Sequence, residues 1–92
     1  MRTRSAIFRG AKQPISVEET ILQDPQAGEV LVRVAATGAC HSDYHAVDGR
    51  NEAPMIPLVM GHEGAGVVEG VGAGVTDFAE GDHIVFAIRP RC

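Results

Sequence analysis

Between Cys40 and Glu63 this 92-residue chain places three of its four histidines and one of its two cysteines. Cys40, His41, Asp43, His45, His62 and Glu63 together offer a thiol, three imidazoles and two carboxylates. Thiolate, imidazole and carboxylate are the donors that Zn²⁺ prefers, and a catalytic zinc takes three of them and leaves a fourth position to water or substrate. Taken singly, each residue has a plainer reading. Cys40 is then a small buried thiol, His41, His45 and His83 are surface or hydrogen-bonded imidazoles, Glu63 is a solvated or capping carboxylate, and the glycines around His62 serve turns and bulges. Singly the plain reading leads, and it is the coincidence of types and spacing in one stretch that brings the metal reading level with it.

To bring Cys40 and His62 together, two loops must converge at the ends of strands. Apolar alternation predicts strands at residues 5–8 and 15–19 around a turn at Gly10 to Pro14, with a turn cluster Asp24-Pro25-Gln26-Ala27-Gly28 after them. From Glu29 onward, Val30, Val32 and Val34 alternate with Leu31, Arg33 and Ala35, which predicts a strand near the core, since both faces carry apolar residues. Cys40 lies at its end. A short helix is expected over Ser42 to Val47, capped by Ser or Asp and stopped by Gly49. Asn51 to Pro57 reads as a proline-bounded loop, residues 66–71 as a strand, Gly72 to Phe78 as a turn and residues 84–88 as a last strand. Short strands with turn signals between them suggest a small barrel or sandwich. Glycines at 61, 64 and 66 would let the backbone aim His62 and Glu63 inward.

Bulk composition excludes several classes. A chain that is 45% hydrophobic and 22% charged, with 11 glycines and 5 prolines, is an ordinary globular domain with one core. Its net charge of −4 and its lack of a long basic cluster argue against nucleic acid. No apolar run approaches the length of a membrane span, and the opening MRTRSAIFRGAKQ has no apolar stretch like that of a secretory signal, so a cytoplasmic location is expected. Cys40 and Cys92 could pair, but in a reducing compartment thiolate or metal chemistry is the commoner use of two thiols. GAGVVEG and GVGAGV mimic a dinucleotide fingerprint, yet Glu69 and Val75 stand where its third glycine belongs and no helix pattern follows.

Residues 61–75, GHEGAGVVEGVGAGV, match the signature of the zinc-containing medium-chain alcohol dehydrogenases: Gly-His-Glu, two residues, Gly, five residues, Gly, two residues and a small apolar one. Gly61, His62, Glu63, Gly66, Gly72 and Val75 fill those places. Residues 28–49, GEVLVRVAATGACHSDYHAVDG, resemble the metal loop of that family, and GDHIVFAIRPRC resembles the run into its structural zinc lobe. The likeness covers nearly the whole chain and is looser over Met1 to Ala27. GHEGAG and TDFAEGDH are most similar to the bacterial members with tightly held nicotinamide.

The resemblance implies a mainly β, GroES-like, partly open barrel with one short helix. It makes Cys40 and His62 catalytic zinc ligands, Glu63 a carboxylate that approaches the metal during exchange, and Cys92 the first of four structural zinc cysteines. Asp43 becomes the carboxylate that orients the ligand histidine. Ser42 would take the proton of the alcohol, His45 would end the proton relay, and His41 would touch the coenzyme pyrophosphate. The implied activity is oxidation of a small-molecule alcohol to an aldehyde or ketone, with zinc and NAD or NADP as cofactors. The resemblance also implies that the third catalytic ligand, three structural cysteines and the Rossmann domain lie outside residues 1–92, so the isolated chain is expected to be inactive. The alternative is a stand-alone GroES-like binding or structural module, or a truncated product without function. The strand at residues 84–88 would then present uncovered apolar surface and favour self-association.

Overall fold

Seven elements are present in a computed structural model of the chain, which describes residues 1–50 and 56–87. They fall into two units, Met1–Leu22 with Ala39–Gly61, and Gln23–Gly38 with His62–Cys92. In the first unit, β1 (Arg2–Phe8) is the middle strand, antiparallel to β2 (Ser16–Ile21) on one side and β4 (Leu58–Val59) on the other. β1 alternates between exposed Arg2, Arg4 and Ala6 and half-buried Thr3, Ser5 and Ile7, ending on buried Phe8. The half-buried face is partly polar, and its hydroxyls satisfy one another: Ser5 Oγ lies 2.9 Å from Thr20 Oγ1.

The ladder runs on to the pair Arg2 and Ile21, so β1 and β2 are longer than apolar alternation predicts. Backbone pairing continues there through Thr3–Thr20 and Arg4–Glu19, whose side chains carry no apolar signal. β4 was not expected, because two residues show no periodicity; its place is set by pairing with Ile7 and Phe8. The same unit holds α1 (His41–Asp48), closed at Gly49 with φ 90° as expected of a glycine stop. Its last turn is tied to the loop after β1 by Lys12 N–H donating to Val47 O at 2.6 Å.

In the second unit, β5 (Gly64–Val71) is central between antiparallel β3 (Val30–Thr37) and β6 (His83–Val85). Gly66 and Val68 on β5 are buried, and both backbone groups of Val68 are bonded to the lead into β6, through Asp82 O at 2.9 Å and Gly81 N–H at 2.8 Å. The turn before β3 is fastened to the end of β5 by Gly28 N–H to Ala73 O and Gly72 N–H to Glu29 O. Across the sheet, Arg33 Nε donates to Glu69 Oε1 at 2.6 Å.

Two expectations change here. β3 is an edge strand, half-buried only over Val30 to Val32, and its later residues are exposed, with Val34 at 53%. An apolar pattern on both faces cannot tell an edge strand from a central one. The last strand is shorter than residues 84–88: it ends at Val85, Phe86 and Ala87 lie beyond it, and Ile88 is outside the described residues. Asn51 to Met55, within the expected proline-bounded loop, are also outside them. Among the described residues the chain is mainly strand with one short helix, and neither three-stranded sheet closes on itself.

Candidate metal centre

In the second unit His62 and Glu63 close the approach to β5. Their ligand atoms, an imidazole nitrogen and a carboxylate oxygen, lie within 4.8 Å of each other, with His62 half-buried and Glu63 exposed. The backbone beneath them is held from the end of β3. Thr37 Oγ1 donates to the carbonyl of Glu63 at 2.8 Å, and Gly38 N–H donates to the same oxygen at 3.2 Å. Two donors on one carbonyl hold the Glu63–Gly64 peptide, just after the two candidate ligands. The sequence reading missed Thr37 and Gly38, whose only signal was a Thr-Gly pair at a strand end.

One glycine of this stretch does the job expected, and another does a different one. Gly61 has φ 129°, a conformation that L side chains rarely adopt, so here backbone freedom is required. Gly66 is needed for closeness instead: a Cβ there would stand 2.2 Å from Arg33 O and 2.7 Å from Val32 Cγ1. β3 and β5 therefore press together just after the ligand loop, between the two places where their register shifts.

In the first unit Cys40 is the N-cap of α1, half-buried, with extended backbone. Its N–H donates to Asp43 Oδ2 at 3.2 Å, and its carbonyl accepts the Asp43 N–H at 3.0 Å. The helix thus begins at His41, one residue earlier than expected, and the cap is not Ser42 or Asp43. Asp43 sits at the third helical position, where a carboxylate reaches back to the cap and also faces the positive end of the helix dipole. Ser42 is exposed on the first turn, and His45 is half-buried one turn on. The rings of His41 and His45 meet edge to face with centroids 4.6 Å apart, and Tyr44 lies edge-on to His41 at 5.8 Å. His83 is the exposed first residue of β6, and Cys92 lies outside the described residues.

The donor set fits zinc: imidazole and carboxylate stand on consecutive residues, and a thiol is available at the N-cap of α1. Arg9 and Ser16 both bond to the Glu18 carboxylate on β2 and hold its pKa down to about 2.

The description "alcohol dehydrogenase GroES-like domain" matches residues 26–92. The chain is 47% identical over all 92 residues to an NDMA-dependent alcohol dehydrogenase of Amycolatopsis methanolica and 45% identical to an S-(hydroxymethyl)glutathione dehydrogenase of Paracoccus denitrificans. In each case the match takes in 100% of this chain and 24% of the relative, so the chain spans about a quarter of the curated proteins it resembles. Among solved structures, an alcohol dehydrogenase zinc-binding domain protein from Burkholderia ambifaria superposes with a TM-score of 0.83 at 47% identity, over 90% of this chain and 22% of that one. A benzyl alcohol dehydrogenase from Acinetobacter calcoaceticus gives 0.83 at 36% identity, over 90% and 23%. With its glycine-fenced His-Glu loop, its Cys-capped helix and these likenesses, the chain belongs to the zinc-containing alcohol dehydrogenase family, as part of the GroES-like domain.

Proposed function

We propose that residues 1–92 are the N-terminal, GroES-like part of an enzyme that oxidises a small-molecule alcohol to an aldehyde or ketone, with hydride passing to a nicotinamide. In this reading Cys40, His62 and Glu63 hold zinc, and Cys92 belongs to a second, structural zinc site. The observation that carries it is the anchored Glu63 carbonyl, on the residue that follows His62. Gly38 donates to the Glu63 carbonyl, and Cys40 follows Gly38 by two residues in the chain. Zinc, when bound, supplies Lewis acidity that makes an alcohol hydroxyl easier to deprotonate near neutral pH.

The remaining roles belong to side chains of α1. Ser42 accepts the proton of the alcohol, and His45, three positions later and so on the same side of the helix, passes it to solvent. Asp43 orients the ligand histidine as well as capping Cys40. His41, exposed on the first turn of α1, offers a donor to coenzyme phosphates. The nucleotide-binding part of the enzyme is not among these 92 residues, so the isolated chain binds metal weakly and transfers no hydride. A cytoplasmic location fits a site that depends on a reduced thiol. Among the described residues, no helix is long and apolar enough to cross a membrane.

The test is zinc content after metal reconstitution and dialysis, measured on the protein and on its Cys40→Ser and His62→Ala variants. Retention that falls in both variants supports the site; equal zinc in all three sinks it. Alcohol-dependent reduction of NAD or NADP by the protein carrying the rest of the enzyme, lost in the same variants, supports the activity. Absence of turnover in that protein leaves the binding-module alternative.

A further inference from the structure

α1 carries a second set of metal-binding side chains. His41 and His45 are four residues apart, which on a helix of 3.6 residues per turn stacks them on one face. Their rings are already in contact, with centroids 4.6 Å apart and planes at 89°. We propose that His41 and His45 form a two-imidazole clamp for a late first-row divalent ion, with Cu²⁺ bound most tightly and Ni²⁺ and Zn²⁺ less so. This clamp shares no ligand with the Cys40, His62 and Glu63 cluster and does not depend on it.

Three observations support the clamp. The first is reach: metal–imidazole bonds of about 2.0–2.1 Å bring two nitrogens within about 4 Å of each other, and rings in contact need only side-chain rotation to achieve it. The second is pre-organisation. Both histidines sit on a helix fixed at its two ends, by the Cys40 N–H to Asp43 bond and by the N–H of Gly49 and of Arg50 donating to His45 O. The Tyr44 ring, edge-on to His41 at 5.8 Å, narrows the swing of that imidazole. The third is access, since His41 is exposed and His45 half-buried. Neutral imidazoles select copper, nickel and zinc over magnesium and calcium, and affinity rises along the series to Cu²⁺. Once one imidazole is bound the other is at high effective concentration, so the pair binds far more tightly than either ring.

Ni²⁺ is the probe, because it does not oxidise thiols, and the protein used carries Cys40→Ser, which removes the thiolate of the other cluster. Ser is a favoured N-cap, so α1 keeps its start. Calorimetric titration should show one tight Ni²⁺, with His41→Gln and His45→Gln each weakening it about a hundredfold. His83→Gln, which alters an exposed histidine on β6, should leave it unchanged. In the protein without these glutamine substitutions, substoichiometric paramagnetic Ni²⁺ should broaden the ring resonances of His41 and His45 together, before that of His83. Equal, small and independent losses at all three histidines overturn the clamp, and so does broadening that starts at His83 or touches only one helix histidine.

Discussion

Gly66→Ala should cost most of what a single methyl group can cost this fold. The added Cβ would stand 2.2 Å from the Arg33 carbonyl oxygen and 2.7 Å from Val32 Cγ1, where ordinary contacts begin at 3.4 Å. Neither neighbour can rotate away cheaply, because the first is backbone of the paired strand. β3 and β5 must therefore part by roughly 1 Å, against a normal spacing of about 4.8 Å. Overpacking of this kind costs about 1–3 kcal/mol, and each ladder bond stretched out of range adds about 1 kcal/mol. Replacing glycine gives back roughly 0.5–1 kcal/mol of chain entropy. The net loss is about 2–4 kcal/mol, a large part of the roughly 5–14 kcal/mol expected for a domain this size. Gly70→Ala is the control on the same strand, since its Cβ would meet only Leu31 Cβ at 4.0 Å, and it should be neutral or slightly stabilising. Urea unfolding of the two variants, read as a shift of midpoint at constant slope, tests the difference. Equal midpoints for Gly66→Ala and Gly70→Ala would refute the close-approach argument.

Other perturbations should separate local devices from the site. Asp43→Ala removes the acceptor for the Cys40 N–H and should cost about 1 kcal/mol and fray the start of α1, whereas Asp43→Asn should retain most of the cap; amide exchange at residues 40–43 reads both. Gly49→Ala forces a Cβ into φ 90° and should destabilise the helix end by about 1 kcal/mol, seen as a lower melting temperature. Glu18 has a folded pKa near 2 against an ordinary 4.5, so its contribution is present above about 4.5 and is lost as the pH falls towards 2. Glu18→Gln should flatten that part of the stability profile, most visibly at low salt because the pair is exposed; an unchanged profile counts against the assignment. Val85 is 78% exposed on β6, and Val85→Lys should reduce any self-association measured by sedimentation. A wild-type sample that is already monomeric removes that expectation.

The glycine stop of α1 and the strand through Val67 and Val68 were legible because each depends on a few adjacent residues. So was the inventory of candidate donor atoms, since donor chemistry is a property of residue type. The family signature added roles that spacing alone left open. Less was legible where distant pairing decides. Cys40 looked like a strand-end thiol, yet it caps a helix, because Asp43 three positions later reaches back to its N–H. The apolar pattern of β3 suggested a core strand, but its neighbours in the sheet made it an edge. Thr37 and Gly38 could not be read as anchors of the ligand loop, since the carbonyl they hold belongs to Glu63 on another segment.

By itself the sequence determined which atoms are available for chemistry and where the chain must turn. Residue type fixes donor character, and a glycine such as Gly49 or Gly61 fixes a backbone option that other residues rarely take. The tertiary structure decided which of those atoms are held still. The Glu63 carbonyl is held by hydrogen bonds from the end of β3, and Gly66 is required because a strand from far along the chain lies 2.2 Å from where its side chain would begin. Such distances arise only when separated segments pair, and no local pattern records them.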